Sequence, residues 1–247
     1  MRKRFGCGVL VIFVLFASTR VAPAACVDPK QLAHAAVSIV RHFDDAEHDS
    51  HRGVVGVRGT GWFLSPTTIV TAEHVTAGMK LSSQDWKLLE IVDEEDSQMI
   101  AARIQRTAGS QAERLAVIEL QRAVSFAQSV AIRRDPLVPE EQVMTFAYPA
   151  GRSRLVQGRF VRFGDGGKVA GMALLEMYEG ENRLIIDHGA SGAPVIDCNG
   201  RVAAVISNVF IQSIQWAHRE IRIPTAWGTP NVVSVPIEAL GELPAAD

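Results

Sequence analysis

The 247-residue chain is short of the residues that mark several common roles. Lys and Arg number 25 against 27 Asp and Glu, so there is no positive excess to neutralise a phosphate backbone. Two Tyr and four Trp, with no basic stripe running among them, leave little for base stacking, and nucleic acid is not an expected partner. No βαβ alternation and no long amphipathic helix can be traced, which excludes a doubly wound α/β fold. The ligand-rich segment His42-Phe43-Asp44-Asp45-Ala46-Glu47-His48-Asp49-Ser50-His51 has neither zinc-helix nor calcium-loop spacing. It reads as a solvated polar loop, and no metal or other cofactor is expected.

Long apolar runs are scarce too. The one near the start, Val9 to Ala17, is too short to span a bilayer comfortably. It follows Met1-Arg2-Lys3-Arg4 and precedes Ala22-Pro23-Ala24-Ala25, the order of a secretory signal peptide over residues 1–25 with cleavage after Ala24 or Ala25. An uncleaved anchor is the second reading, and lipidation of Cys26 a third. The expected mature protein is secreted or periplasmic, with no stable membrane insertion. Of three cysteines, Cys7 leaves with the signal and Cys26 and Cys198 remain. In an oxidising compartment such a pair is most simply a disulfide, worth roughly 2–4 kcal/mol; two separate thiols are the alternative.

What the chain does have is a succession of short β-type runs separated by Gly and Pro turns. Asp28 to Ala36 suits a short helix, and Ala36-Val37-Ser38-Ile39-Val40 begins the strands. The mixed region Leu81 to Ser97, with Trp86, Leu88, Leu89, Ile91 and Val92 before the acidic run Asp93-Glu94-Glu95-Asp96, reads as strand then exposed turn. Residues 121–142 look like a polar crossover, giving an N-terminal unit over 26–125 and a C-terminal unit over 126–247. Asn199-Gly200 marks a hairpin between Val195-Ile196 and Val202 to Ile206, and a short helix is expected around Ile237 to Leu240. His218 reads as a surface residue.

Two motifs carry chemistry. Asp187-His188-Gly189-Ala190-Ser191-Gly192-Ala193-Pro194 places a serine among residues small enough for a sharp bend. If the N–H groups of Gly189 and Ser191 converge there, they make an oxyanion hole beside a nucleophilic hydroxyl. A serine needs a base, and Gly59-Thr60-Gly61-Trp62-Phe63-Leu64-Ser65-Pro66 through Thr71-Ala72-Glu73-His74-Val75 reads as strand, turn and strand with a histidine held at the strand's end.

The Thr71 to Val75 run resembles the Thr-Ala-Ala-His segment of the trypsin/chymotrypsin clan of serine proteases, and Gly189 to Pro194 resembles its Gly-Asp-Ser-Gly-Gly-Pro segment. The approach to His74, together with Ala147-Tyr148-Pro149-Ala150-Gly151 followed by Gly158, is similar to bacterial trypsin-like, HtrA-type protease domains. The likeness spans roughly residues 35 to 240, and no C-terminal PDZ module is expected. It implies an all-β, chymotrypsin-like double six-stranded β-barrel with a short terminal helix. It also implies a serine endopeptidase acting on protein or peptide substrates, with Ser191 as nucleophile, His74 as base, and Ser207, Asn208 and Val209 along the substrate groove. Ile185 falls where trypsin keeps its basic-residue-binding aspartate, so cleavage after small aliphatic residues is expected; Asp187 keeps a rival claim to bind a cation. Ala190 replaces the acid that pairs with a newly cut N-terminus in animal zymogens, so activation by that ion pair is not expected.

One residue departs from the pattern. Leu115-Ala116-Val117-Ile118-Glu119-Leu120 resembles the strand that follows the triad aspartate, but the aspartate's place is taken by Arg114. Arginine has no acceptor with which to orient a histidine. Glu113, one residue earlier, is the preferred candidate acid; Asp96 or a Ser/His dyad are alternatives. A protease-fold protein that only captures peptides and an esterase on the same fold are the competing functions.

Overall fold

The computed structural model describes residues 26–45, 47, 54–94, 96–109, 114–178, 189–209, 212–216, 219–223 and 229–241. The expected signal peptide, and Glu113, Ile185, Asp187 and His218, lie outside these described residues.

The first half contains β1 (Ala36–His42), β2 (Gly56–Ser65), β3 (Thr68–Ala72), the short helix α1 (Glu73–Gly78), β4 (Lys87–Val92), β5 (Ser97–Gly109) and β6 (Arg114–Leu120). Its strands close into a barrel in the order β1-β2-β3-β6-β5-β4. The second half contains β7 (Gln142–Ala147), β8 (Arg154–Phe163), β9 (Ala173–Tyr178), β10 (Pro194–Asp197) and β11 (Val202–Val209). The hairpin β12 (Gln212–Trp216) and β13 (Arg219–Ile223) follows, then β14 (Val232–Pro236). A second barrel closes in the order β10-β11-β14-β9-β8-β7, and every ladder pairing named strands is antiparallel. The architecture is thus an all-β, chymotrypsin-like double barrel. The chain ends, among described residues, in a 3-10 turn over Ile237–Leu240. No helix among them is long and apolar enough to cross a membrane.

The continuous apolar runs follow from burial on two faces. In β6, Leu115, Ala116, Val117 and Ile118 are all buried. Ile118 faces the interior of the first barrel with Ile39, Phe63 and Ile69, whereas Leu115 and Val117 join Trp62 and Val70 in a cluster shared with the second barrel. That shared cluster includes Met144, Phe146, Leu174, Val205 and Val235. A strand covered on both sides loses the alternation of a half-exposed one. The seam between the barrels is therefore a hydrophobic core in its own right.

Three local expectations change. The expected helix over 28–36 is a single 3-10 turn, Pro29–Leu32, capped by Asp28 accepting from the Lys30 N–H at 3.0 Å. His74 does not end a strand: β3 stops at Ala72, and His74 is the second residue of α1. The acidic run after β4 is not wholly exposed, because Asp93 is buried with its carboxylate engaged.

Cys26 and Cys198 are disulfide-bonded, and the Val27 N–H donates to the Cys198 carbonyl at 2.9 Å. The bridge closes a loop with a sequence separation of 172 residues. Closing so long a loop restricts the unfolded chain, so Cys198→Ser is expected to lower stability by roughly 2–4 kcal/mol. Denaturant unfolding of oxidised wild type against the variant would check this; equal midpoints would show that the bridge contributes nothing.

Candidate active site

The serine expected from the sequence sits on the tight turn that leads into β10, at the seam. Gly189 and Gly192 have φ of +99° and +93°, conformations that a side chain resists. Space agrees with conformation. A Cβ on Gly189 would lie 2.8 Å from the Tyr148 carbonyl oxygen, and one on Gly192 would lie 2.0 Å from the Thr60 carbonyl oxygen and 2.1 Å from Thr71 Oγ1.

Backbone bonds then set the direction of each peptide. The Ala193 N–H donates to the Ala190 carbonyl at 3.0 Å. Because a trans peptide points its C=O and N–H in opposite directions, the Ser191 N–H faces away from that bond. The next peptide is clamped from both sides: the Thr60 N–H donates to the Ser191 carbonyl at 3.0 Å, and the Gly192 N–H donates to the Ile206 carbonyl at 2.7 Å. No hydrogen bond among the described residues engages the N–H of Gly189 or Ser191. Two open donors flanking a hydroxyl can receive an oxyanion.

The Ser191 hydroxyl donates to the Ser207 carbonyl oxygen at 3.1 Å. A bulge makes that acceptor available. In the β11–β14 ladder Ile206 opposes Ser234 and Asn208 opposes Val233, which leaves Ser207 as the extra residue. Bulges next to functional sites re-aim groups in this way. Asn208 and Val209, the other expected groove residues, continue β11 opposite Val233 and Val232.

His74 is exposed, and its ring makes no hydrogen bond among the described residues. Packing of the backbone ties its segment to the serine. Thr71, three residues before His74, is the residue that Gly192 packs against, and Gly192 adjoins Ser191. Ala72 pairs with Leu115, so the start of β6 lies beside the start of α1. Arg114, preceding Leu115, is exposed and donates to Thr107 Oγ1 on β5. Asp96 is exposed in the β4–β5 turn. Ala190 is buried, leaving no carboxylate at the position used by zymogen ion pairs.

Four residues that sequence reading did not single out complete the setting. Thr60, buried on β2, donates its hydroxyl to the Gly189 carbonyl at 2.6 Å and accepts the Tyr148 N–H at 3.0 Å. The Tyr148 hydroxyl donates to Asp93 Oδ1 at 3.1 Å, and Asp93 Oδ2 meets His34 Nδ1. The separations, from 55 residues for Tyr148–Asp93 to 129 for Thr60–Gly189, leave no local signal for such contacts.

Burial of Tyr148 disfavours its phenolate, and the neighbouring Asp93 charge adds to the effect, so its pKa is raised well above the ordinary phenol value. A raised folded-state pKa means that the native state holds this proton more tightly than the unfolded chain. The resulting stability is fully present below about pH 10 and is lost as pH rises above it. In an ultraviolet titration of the two tyrosines, Tyr148 is expected to stay protonated beyond the ordinary phenol range. Ionisation of Tyr148 near the ordinary value would contradict the buried Asp93 contact, and Tyr148→Phe identifies its part of the signal.

Two closed antiparallel barrels with a Gly-Ala-Ser-Gly turn at their seam define the double-barrel peptidase class. Solved structures similar in fold include Rv3671c from M. tuberculosis H37Rv, a serine-to-alanine mutant in an inactive form. It is 13% identical, with a TM-score of 0.56 over 85% of this chain and 86% of that one. The Rv3671c protease in an inactive form is 16% identical, with a TM-score of 0.56 over 85% and 87%. A serine-to-alanine variant of the HtrA-type protease AlgW with a tripeptide is 13% identical, with a TM-score of 0.55 over 83% of this chain and 57% of that one. No curated protein matches the chain by sequence. The family model described as "Trypsin-like peptidase domain" matches residues 59–205, and the chain belongs to that family.

Proposed function

We propose that the protein is a secreted or periplasmic serine endopeptidase working through an acyl-enzyme. The observation that carries this reading is the clamped turn, in which the Gly189 and Ser191 N–H groups are engaged by no hydrogen bond among the described residues while the Ser191 hydroxyl, bonded to the Ser207 carbonyl, stands on the same turn. The Cys26–Cys198 disulfide and the N-terminal sequence support the extracytoplasmic location.

In this reading a peptide adds along Ser207, Asn208 and Val209 as an extra strand. The Ser191 hydroxyl turns from the Ser207 carbonyl to His74 and attacks the scissile carbonyl. His74 takes the proton, the two N–H groups hold the oxyanion, and His74 returns the proton to the leaving amine. Water then attacks the acyl-enzyme by the same route in reverse, and no cofactor enters. Ile185 favours small aliphatic side chains before the cut. Glu113 is the proposed acid, and Arg114 limits the rate. Arginine supplies no acceptor to orient the imidazole, and loss of triad orientation costs about 10⁴ in turnover in one such enzyme.

Two observations favour a second reading, a peptide-binding protein with impaired catalysis: the Ser191 hydroxyl is bonded to a carbonyl, and the usual acid position is arginine. Labelling by a fluorophosphonate probe separates the two, because it reports serine activation without knowledge of the substrate. The mature protein is expected to label, and Ser191→Ala and His74→Ala to abolish it. Glu113→Gln is expected to slow labelling, and Arg114→Asp to accelerate it by about 10-fold or more, a partial recovery of what a triad acid supplies. A folded protein that stays unlabelled over a broad pH range would leave the binding reading in place.

A further inference from the structure

Thr60 lies in β2 with no exposed surface, yet its hydroxyl makes both of its bonds to the other barrel. The direction of each is fixed by chemistry. The Tyr148 N–H can only donate, so the Thr60 oxygen accepts there, and the single hydroxyl proton goes to the Gly189 carbonyl, which can only accept. The main chain of the same residue adds two further ties: its N–H donates to the Ser191 carbonyl, and its carbonyl accepts the Thr71 hydroxyl at 2.7 Å. One buried residue thus touches the carbonyls on both sides of Ala190, the turn that walls them at Tyr148, and the strand that leads to His74.

We infer that Thr60 is a positioning residue for the oxyanion pocket: its hydroxyl orients the Gly189 carbonyl, and through that peptide the open N–H groups of Gly189 and Ser191. This rests on the serine chemistry proposed above. Thr60 does not touch the substrate. Its work is to hold a short, glycine-rich turn against rotation, and Gly189 and Gly192 by themselves resist rotation less than other residues would. Valine has the same shape without the hydroxyl. It would leave the partly buried Gly189 carbonyl and the buried Tyr148 N–H unmatched, whereas serine keeps the hydroxyl and loses only a methyl.

The test compares Thr60→Val with Thr60→Ser in two measurements. The first is the saturation kinetics of fluorophosphonate labelling. Thr60→Val is expected to lower the maximal labelling rate by about 10- to 100-fold, the scale of a displaced donor or a slightly misplaced reacting group, with little change in half-saturating probe concentration. Thr60→Ser should stay within about 3-fold of wild type, the difference a lost methyl makes when the hydroxyl remains. The second is amide hydrogen exchange in a Ser191→Ala background, where no catalysis is involved. The N–H groups of Tyr148 and Ala193 should exchange about 5-fold faster or more with valine than with serine, as expected for one lost hydrogen bond. Thr60→Ala replaces the valine variant if the latter does not fold. Equal exchange in the valine and serine variants, or labelling of Thr60→Val at the wild-type rate, would overturn the inference. An unlabelled wild type with faster exchange in the valine variant would sink the serine-hydrolase reading and leave Thr60 as the residue that orients the turn.

Discussion

The structure depends on how two closed barrels satisfy polar backbone at the surface where they meet. Closure removes sheet edges, so each barrel can bury an outer face against the other without leaving a row of unpaired groups. Turns have no such protection. The turn carrying Ser191 enters the seam with carbonyls that need donors, and β2 supplies them from Thr60. A buried carbonyl left unmatched costs about 1–3 kcal/mol, comparable to the whole margin that a few core contacts provide. The position of the serine is thus a consequence of hydrogen-bond satisfaction across the barrel interface as well as of the turn's own sequence.

The same interface explains the arrangement of the core. β2, β3 and β6 are packed on both faces, with Phe63, Ile69 and Ile118 inside the first barrel and Trp62, Val70 and Val117 against the second. These strands bring the start of α1 and the start of β6 together near the serine turn. Catalytic groups carried on different barrels hold their relative positions only as well as the seam is packed. Here it is packed by buried aromatic and branched aliphatic side chains, Trp62, Val70, Phe146 and Val205 among them. The Tyr148–Asp93–His34 contacts extend that fixation to the segment tied down by the Cys26–Cys198 bridge.

Arg114 sets this chain apart from the pattern it otherwise follows. A triad acid orients the histidine and stabilises its cation, and arginine can do neither. In the structure Arg114 is exposed and turned to Thr107, not folded into a buried ion pair. The family's barrels, turn and histidine segment are retained, and the chemistry proposed for them rests on Ser191 and His74 with whatever acid the chain brings close.

Much of this was legible in the sequence. Short apolar runs and Gly and Pro turns pointed to an all-β fold, the resemblance carried by two motifs implied paired six-stranded barrels, and Asn199-Gly200 marked its hairpin because few residues accept that geometry. Ser191, Gly189 and His74 were named from their local neighbours, and their catalytic roles belong to the proposed reading. Glu113, Ile185 and Asp187 remain readings of the sequence alone. Tertiary structure decided what depends on partners distant along the chain: that Thr60 bonds the serine turn, that a bulge presents the Ser207 carbonyl, and that Asp93 is buried against Tyr148 where its acidic neighbours suggested solvent. Local sequence determines which conformations a segment can adopt. Which of its polar groups are buried, and by what they are met, is settled only when the two barrels close and pack.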